Sequence, residues 1–517
     1  VIRSLTYALT LCTLLVGTSV SAQIFQTPLE RHMTTAIEWS ISGTDTTLHT
    51  SMKPFHYDQF TWDSVPRFDV CDRRYFNNAE VKFHRDHLIQ IEEDDFQFYM
   101  DIVLDLDLGR DFGDTSSWQD TVQIFNNTRG LAFYGQIGDR VGIHATVFEN
   151  QTQFRNWMFN LTDSLAVIPG QGRFKELESN ARDYNSATGV VSVKATDWLQ
   201  VHFGQGKHFI GNGYRSMLLS DVAFNYPFLR LQGTFWKNRI QFTSVNAELN
   251  NLERLPLGEV PESLFKKKGF TFRYLNIIPH PRFEIGLYEG VIWQRWDSTG
   301  TKAYPAPFFI PVPFAATGIY GLDSLQNSVV GVNLKAKITD NLYVYGQGVA
   351  DQEELRFTGF QAGFHWREFP FRNMSLQFEY NEGGQGIFTH RNPLQSYSHM
   401  NQGLAHPLGT NFKEYVVILR HGVKRLWSEW KGVYQIHDGG NRGNIAVTPD
   451  IVLSSLHEPG TTLLSDLRFG YLMNPTTNLN MILGWSWRSR ETETGALNSS
   501  YYYMQFRLAL FNRYYDI

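Results

Sequence analysis

The sequence predicts an all-β protein, a transmembrane antiparallel β-barrel of about 18 strands preceded by an N-terminal periplasmic or plug extension. Three observations lead there. Apolar and polar residues alternate with a period of two over many separate stretches, the pattern of strands with one apolar and one wet face. The connections between those stretches alternate between minimal turns and long loops. Aromatic residues make up 15% of the 517 residues, with 24 Tyr, 39 Phe and 13 Trp, which suits the aromatic girdles a barrel places at both membrane interfaces. A net charge of −5 gives no reason to expect nucleic acid as a partner. A mean hydropathy of −0.30 argues against a helical membrane bundle, but half of each barrel strand faces water and lowers that mean.

Residues 1–22 read as a secretory signal. Arg3 supplies the positive charge, Leu5 to Val16 is largely apolar, and Val20-Ser21-Ala22 places small residues before Gln23. Cys12 lies inside that segment, so the mature chain keeps Cys71 alone and no internal disulfide. Cys71 reads as a small buried residue. Residues 23–92 show no sustained alternation and form the expected extension. His84 and His87 could share one side of a helical turn, but no third ligand is placed by spacing, and a solvated polar segment is the simpler reading. The acidic run Glu92-Glu93-Asp94-Asp95 reads as a solvated approach to the barrel, 93–517.

From Phe96 the alternation is long. Phe96, Phe98, Met100, Ile102, Leu104, Leu106 and Leu108 share one face, and Gln97, Tyr99, Asp101, Asp105 and Asp107 the other. Crossing a bilayer takes about 9–11 tilted residues, which this strand supplies. Carboxylates make little sense against lipid and good sense in a wet lumen. Further strands are expected near 121–136, 140–152, 183–196, 198–208, 226–236, 238–249, 268–279, 281–294, 328–339, 341–351, 357–368, 371–382, 413–423, 426–437, 462–474, 476–489 and 500–512. The clearest run is Gly189–Leu249, where Val191, Val193, Leu199, Val201, Phe203, Leu229 and Leu231 alternate with polar residues. Even-numbered strands end in short turns such as Gly138-Asp139, Thr196-Asp197, Lys237-Asn238 and Lys424-Arg425. Most odd-numbered strands end in long loops, at 153–182, 209–225, 250–267, 295–327, 383–412 and 438–461. Short periplasmic turns and long outer loops are a barrel habit, and they put both chain ends on the periplasmic side. In the last strand, Tyr502, Met504, Phe506, Leu508 and Leu510 should face out, and Tyr503, Gln505 and Arg507 in.

That register turns Asp101, Asp105, Asp107, Glu379 and Glu429 inward, together with Arg230, Arg273, Lys335, Lys337, Lys431, Arg488 and Arg507. Opposite charges on neighbouring strands can pair across the pleat. Such a lumen is either zipped shut by its charges or a polar conduit or ligand site, and periodicity does not decide between them. The loop GQGKHFIGNGYRS is the most unusual. Gly204, Gly206, Gly211 and Gly213 would let the backbone fold tightly or approach something closely. The strand–helix context that a phosphate-binding glycine loop needs is missing. Asn212, Tyr214 and Arg215 are candidate glycan ligands, since sugars stack on aromatic rings and pair with amides; ordinary loop structure is the competing reading. Pro305, Pro307, Pro311 and Pro313 stand among aromatic residues in an extended apolar surface segment or a constriction. His390, His399 and His406 share a loop without metal-like spacing. In DGGNRGN at 438–444 only Asp438 offers a carboxylate, too few for calcium. No nucleophile elbow, HExxH or other compact catalytic signature occurs, so no enzyme, cofactor or metal is expected.

FGQGKHFIGNGYRSMLLSDVAFNYPFLRLQ, with VIPGQGRFK at 167–175 and more loosely the chain from Phe96 on, resembles the Wzi-like capsule-assembly family, in its Bacteroidota branch of gliding-motility RemB-like outer-membrane proteins. The resemblance implies a non-catalytic barrel in the outer membrane of a Gram-negative bacterium. It would contact outer-membrane lipid and hold or organise capsular polysaccharide, or partner surface, secretion or motility proteins. A porin or a transport or secretion-machine subunit is the alternative.

Overall fold

The computed structural model describes residues 26–42, 48–56, 77–114, 123–178, 180–254, 265–297, 300–313, 326–351, 358–390, 392–438 and 458–517. The signal segment, Cys71 and the DGGNRGN turn beyond Asp438 lie outside them. Eighteen long antiparallel strands close into one barrel. In chain order they are β1 (Phe96–Asp111), β2 (Ile124–Ile137), β3 (Val141–Gln153), β4 (Arg182–Lys194), β5 (Leu199–Gly206) and β6 (Tyr226–Phe235). Then come β7 (Ile240–Arg254), β8 (Phe265–His280), β9 (Phe283–Gln294), β10 (Gln326–Thr339), β11 (Leu342–Asp351) and β12 (Thr358–Arg367). The last are β13 (Met374–Gly383), β14 (Phe412–Val423), β15 (Leu426–His437), β16 (Gly460–Asn474), β17 (Leu479–Thr492) and β18 (Gly495–Leu508). Each pairs with its sequence neighbours, and β18 closes the ring on β1 with Tyr501 opposite Asp111 and Arg507 opposite Asp105. Closure removes every edge in the ring, the condition for strands to cross lipid. The short strand Ile89–Glu93 pairs along Phe96–Met100 of β1, beyond the stretch that β18 occupies.

The outward residues are those a bilayer requires. Ile102, Leu106, Leu131, Val147, Leu229, Leu334, Leu463, Leu483 and Met504 are exposed on the wall. Trp198, Phe235, Trp236, Phe283 and Phe371 project near the short turns, and Phe112 and Tyr502 near the other end. Inward residues are polar and buried, among them Asp105, Thr128, Asn150, Ser192, Gln347, Glu379, Gln435 and Ser486. The dyad pattern therefore reports the two faces faithfully, and strand ends shift from the expected positions by a few residues.

The interior is filled by segments without a dyad pattern. Helix α1 (Arg31–Ser42) and the strand Met52–Lys53 belong to the N-terminal segment, and Met52–Lys53 pairs with Phe209–Ile210 of the loop after β5. The loops 207–225 and 384–411 enter the same space. Leu218, Leu219, Tyr397 and Leu404 pack there on Phe270, Phe272 and Tyr288 of the wall. Two expectations are corrected. β18 stops at Leu508, and neither Leu508, which is buried, nor Leu510 is exposed on the outer wall: the chain turns in, and Leu510 packs against the buried Tyr99, Val103 and Phe148. Residues 509–517 continue inside, where Asp516 is buried, so this end does not lie at the periplasmic rim.

Candidate functional site

Two places in the barrel concentrate chemistry. The first is a buried clamp built on the loop 207–225. Gly213 lies so close to β13 that an added methyl would overlap the Glu379 carboxylate. That closeness lets the N–H groups of Tyr214 and Arg215 donate to Glu379 at 2.6 and 2.9 Å. Tyr345 Oη and Asn381 Nδ2 also donate to it, both at 2.9 Å. The Arg215 guanidinium forks onto Glu414 of β14 at 3.0 and 3.2 Å and reaches Asp516 at 3.2 Å. Lys431 of β15 donates to Asp516 at 2.9 Å, and Tyr214 Oη donates to the same carboxylate. Burial pushes the Asp516 carboxyl up, but Arg215 and Lys431 outweigh it and hold Asp516 well below the usual carboxylate range. Asn212 donates to Thr50 Oγ1 at 2.9 Å and accepts from Asn333 at 3.2 Å.

Asn212, Tyr214 and Arg215 are thus brought together, but inside the barrel and against its own wall, not on an outer loop. The close approach that the glycines foreshadow is to Glu379 and Gln347, which flank Gly213 and Gly211.

The other lumen charges divide by partner. Three are matched to the strand beside them, as the pleat allows: Arg273–Glu289 at 3.2 Å, Arg507–Asp105 at 3.3 Å and Arg420–Glu429 at 2.6 Å. Asp105 and Asp107 also receive Arg513 from the tail. Asp101 accepts from His87 Nδ1 at 2.6 Å. Arg230 is fully buried among His202, His208 and Gln232, and Gln232 is its hydrogen-bond partner. His399 and His406 stand apart, His399 beside Asn250 and His406 on Glu414, and no metal-holding group of three ligands occurs among the described residues. The proline-rich stretch is exposed at Phe309, Ile310 and Val312, with a short 3₁₀ turn at Ala306–Phe309.

The second place is a cleft of about 170 Å³ at the long-loop end. Helix α2 (Asn156–Leu165), in the loop after β3, forms one wall with Trp157, Asn160 and Leu161. The loop 384–411 contributes Asn401, Gln402 and Leu408, and β17 contributes Arg488 and Arg490. Asn401 Nδ2 ties that loop to the Leu165 carbonyl at 3.1 Å, and Gln402 Nε2 to the Gln171 carbonyl at 2.7 Å. The floor is set by Ile517 and Val222, so the clamp and the cleft share the tail and the loop 207–225. Of the cleft residues, sequence reasoning marks only Arg488 as inward. Trp157 and Leu408 lie in aperiodic loops, whose register nothing local fixes.

An antiparallel closed barrel with an apolar belt and a polar, loop-filled interior defines an outer-membrane β-barrel protein. No protein-family model and no curated protein matches the chain. Among solved structures it is similar to Wzi of Escherichia coli, described as an outer-membrane protein involved in group 1 capsule assembly and a carbohydrate-binding β-barrel. That likeness has a TM-score of 0.54 at 13% identity and covers 94% of this chain and 99% of Wzi. OpdK of Pseudomonas aeruginosa, solved with vanillate, follows at 0.45 and 11% identity, covering 79% of this chain and 97% of OpdK. OprD of the same organism gives 0.40 and 10%, with 80% and 96% covered.

Proposed function

We propose that this outer-membrane barrel is a non-catalytic holder of cell-surface polysaccharide, using the cleft at its outer mouth. One observation carries the reading: the long-loop end offers a partly open cleft, while the space beneath is occupied by wall-anchored segments. A concave site with apolar walls and a few convergent polar groups is the usual form of a small-ligand site. The involvement of Wzi in capsule assembly and the Wzi-like resemblance in the sequence both favour a glycan. The gliding-motility branch of that resemblance adds a surface or secreted protein as a second kind of cargo. The N-terminal extension, 23–92, acts in this reading as the plug, with α1 held at Glu38 and Trp39 by Tyr343 and Arg367 of the wall, and Thr50 and Ser51 by Glu284.

The test pairs two measurements on the full chain. Purified barrel in planar bilayers is expected to be silent, and immobilised barrel is expected to retain surface polysaccharide from the parent cells. The competing reading, a porin or transport subunit, draws on a charged interior void of about 110 Å³ beside Asp107, Glu429, Arg468 and Arg507. Steady open steps with no retained polysaccharide would replace the holder by that reading.

A further inference from the structure

Two arginines at the outer mouth differ from the zipped charges below them. Arg488 and Arg490 stand two residues apart on β17, so both point inward, and both line the cleft. Arg488 is 4% exposed, and its guanidinium lies 4.2 Å from the Trp157 ring centroid. It donates one long bond, 3.3 Å, to the main-chain oxygen of Ile517. Among the described residues its Nε has no partner, and neither has Nη2 of Arg490. Among the described residues, the charges acting on Arg488 are those of Arg490 and Arg155, and the acid acting on Arg490 is Glu458. Arginines set side by side on one strand, with donors unspent, cost stability until an anion joins them.

The rest of the cleft narrows the identity of that anion. Leu161, Leu165 and Leu408 supply apolar lining to the same cleft, and Leu497 stands beside Arg490 as its cross-strand partner on β18. A cavity of about 150 Å³ takes a six-membered ring of benzene size, and this cleft has about 170 Å³. The combined demand is a ring with an apolar face and a carboxylate at one edge, which arginine forks match two bonds at a time. We propose that the cleft binds a uronic-acid residue of an acidic glycan, its carboxylate held by Arg488 and Arg490 and its ring against the leucines. The chain as a whole carries −5 and would repel a polyanion, so a local positive pole is what recruits one. This inference rests on the polysaccharide-holding reading of the same cleft and adds the charge class of the sugar.

The test is titration calorimetry of the intact barrel in detergent with trigalacturonate, with neutral maltotriose and with inorganic phosphate. Arg490→Gln sits at the rim, and Arg488→Gln deeper. Folding of each is checked by heat-modifiable gel mobility, so Arg490→Gln serves alone if the deeper variant misfolds. Trigalacturonate is expected to bind wild type more tightly than the other two. Loss of one charge-assisted bond should weaken it about tenfold or more in either variant. Equal binding of both sugars, unchanged in the variants, overturns the acidic pole and leaves the glycan-holding reading standing. Phosphate binding as strong as trigalacturonate reduces the site to a simple anion trap and overturns the sugar assignment. Binding of none of the three overturns the inference, and retention of parent-cell polysaccharide then tells whether the broader reading falls with it.

Discussion

Arg215→Met is the most informative single perturbation of the interior. The wild-type guanidinium spends four hydrogen bonds, two on Glu414, one on the Asp516 carboxylate and one on the Asp516 main-chain oxygen. Methionine fills much of the same volume but leaves two buried carboxylates facing each other. Glu414 keeps His406, Gln435 and Asn381 at 2.8, 3.0 and 3.1 Å, and Asp516 keeps Lys431 at 2.9 Å. Those remaining contacts hold the wall together, so the loss falls on the two inserted partners, the tail 509–517 and the loop 207–225. Removing one member of a buried ion pair costs about 3–5 kcal/mol. That corresponds to a local opening equilibrium about a hundred- to several-thousand-fold more favourable. Hydrogen-exchange mass spectrometry on the full chain in detergent reads it directly, with tail and loop peptides losing protection and β10 peptides keeping theirs. Arg215→Lys keeps the charge, loses the fork and should fall between. Tail protection within about threefold of wild type in Arg215→Met would refute the clamp, because a change that small is under 1 kcal/mol.

Gly213→Ala presses a methyl into the Glu379 carboxylate and should cost about 1–3 kcal/mol, read as lost protection of the same loop. Unchanged exchange there would mean that the loop has room to retreat. The clamp should also resist acid. The folded Asp516 is held below its unfolded value of about 3.9, so its contribution is complete above that pH and fades only as pH falls further, through the folded value. Exchange corrected for intrinsic rate should therefore leave the tail equally protected at pH 7 and pH 5, and loss of protection between them would contradict that ordering. Deleting residues 26–56 removes α1 and the strand paired to Phe209–Ile210, and should turn a silent barrel into one with conductance steps. Continued silence would assign closure to the loops 207–225 and 384–411 alone.

The wall was legible because lipid outside and polar contents inside impose opposite chemistry on alternate residues, and strands such as β1 and β6 carry that contrast along their length. The turns were legible for a related reason, since Lys237-Asn238 and Lys424-Arg425 have to reverse the chain within the register. The interior was not legible. Asp516 and Arg215 stand three hundred residues apart in the chain and meet only because β18 ends and its tail folds inward. No period marks that meeting. Gly213 came nearest to a signal: its lack of a side chain implied close approach to something, but not that the something was Glu379. Leu510 misled because the alternation of β18 continues past Leu508, whereas the hydrogen-bonded strand ends there.

A common device seats the inserted segments. Glu379 on β13 accepts two consecutive N–H groups from the loop 207–225. Glu284 on β9 does the same for Thr50 and Ser51 of the N-terminal segment, at 3.2 and 3.0 Å, with their hydroxyls added at 2.8 and 2.5 Å. Asp351 on β11 accepts the N–H of Phe388, from the loop 384–411, at 3.0 Å. Three separate segments are thus docked by wall carboxylates reading their main chain, a contact that depends on backbone position and little on side-chain identity. Glutamine at 284 tests this without changing size. Its amide offers one acceptor oxygen where the carboxylate offers two, and it turns an NH₂ donor toward Thr50 and Ser51, which already present donors. A buried donor left unpaired costs about 1–3 kcal/mol. Glu284→Gln should therefore loosen residues 48–56 about fivefold or more in hydrogen exchange while the loop on Glu379 keeps its protection. If both segments loosen together, the interior is one cooperative unit and the carboxylates are not independent docks.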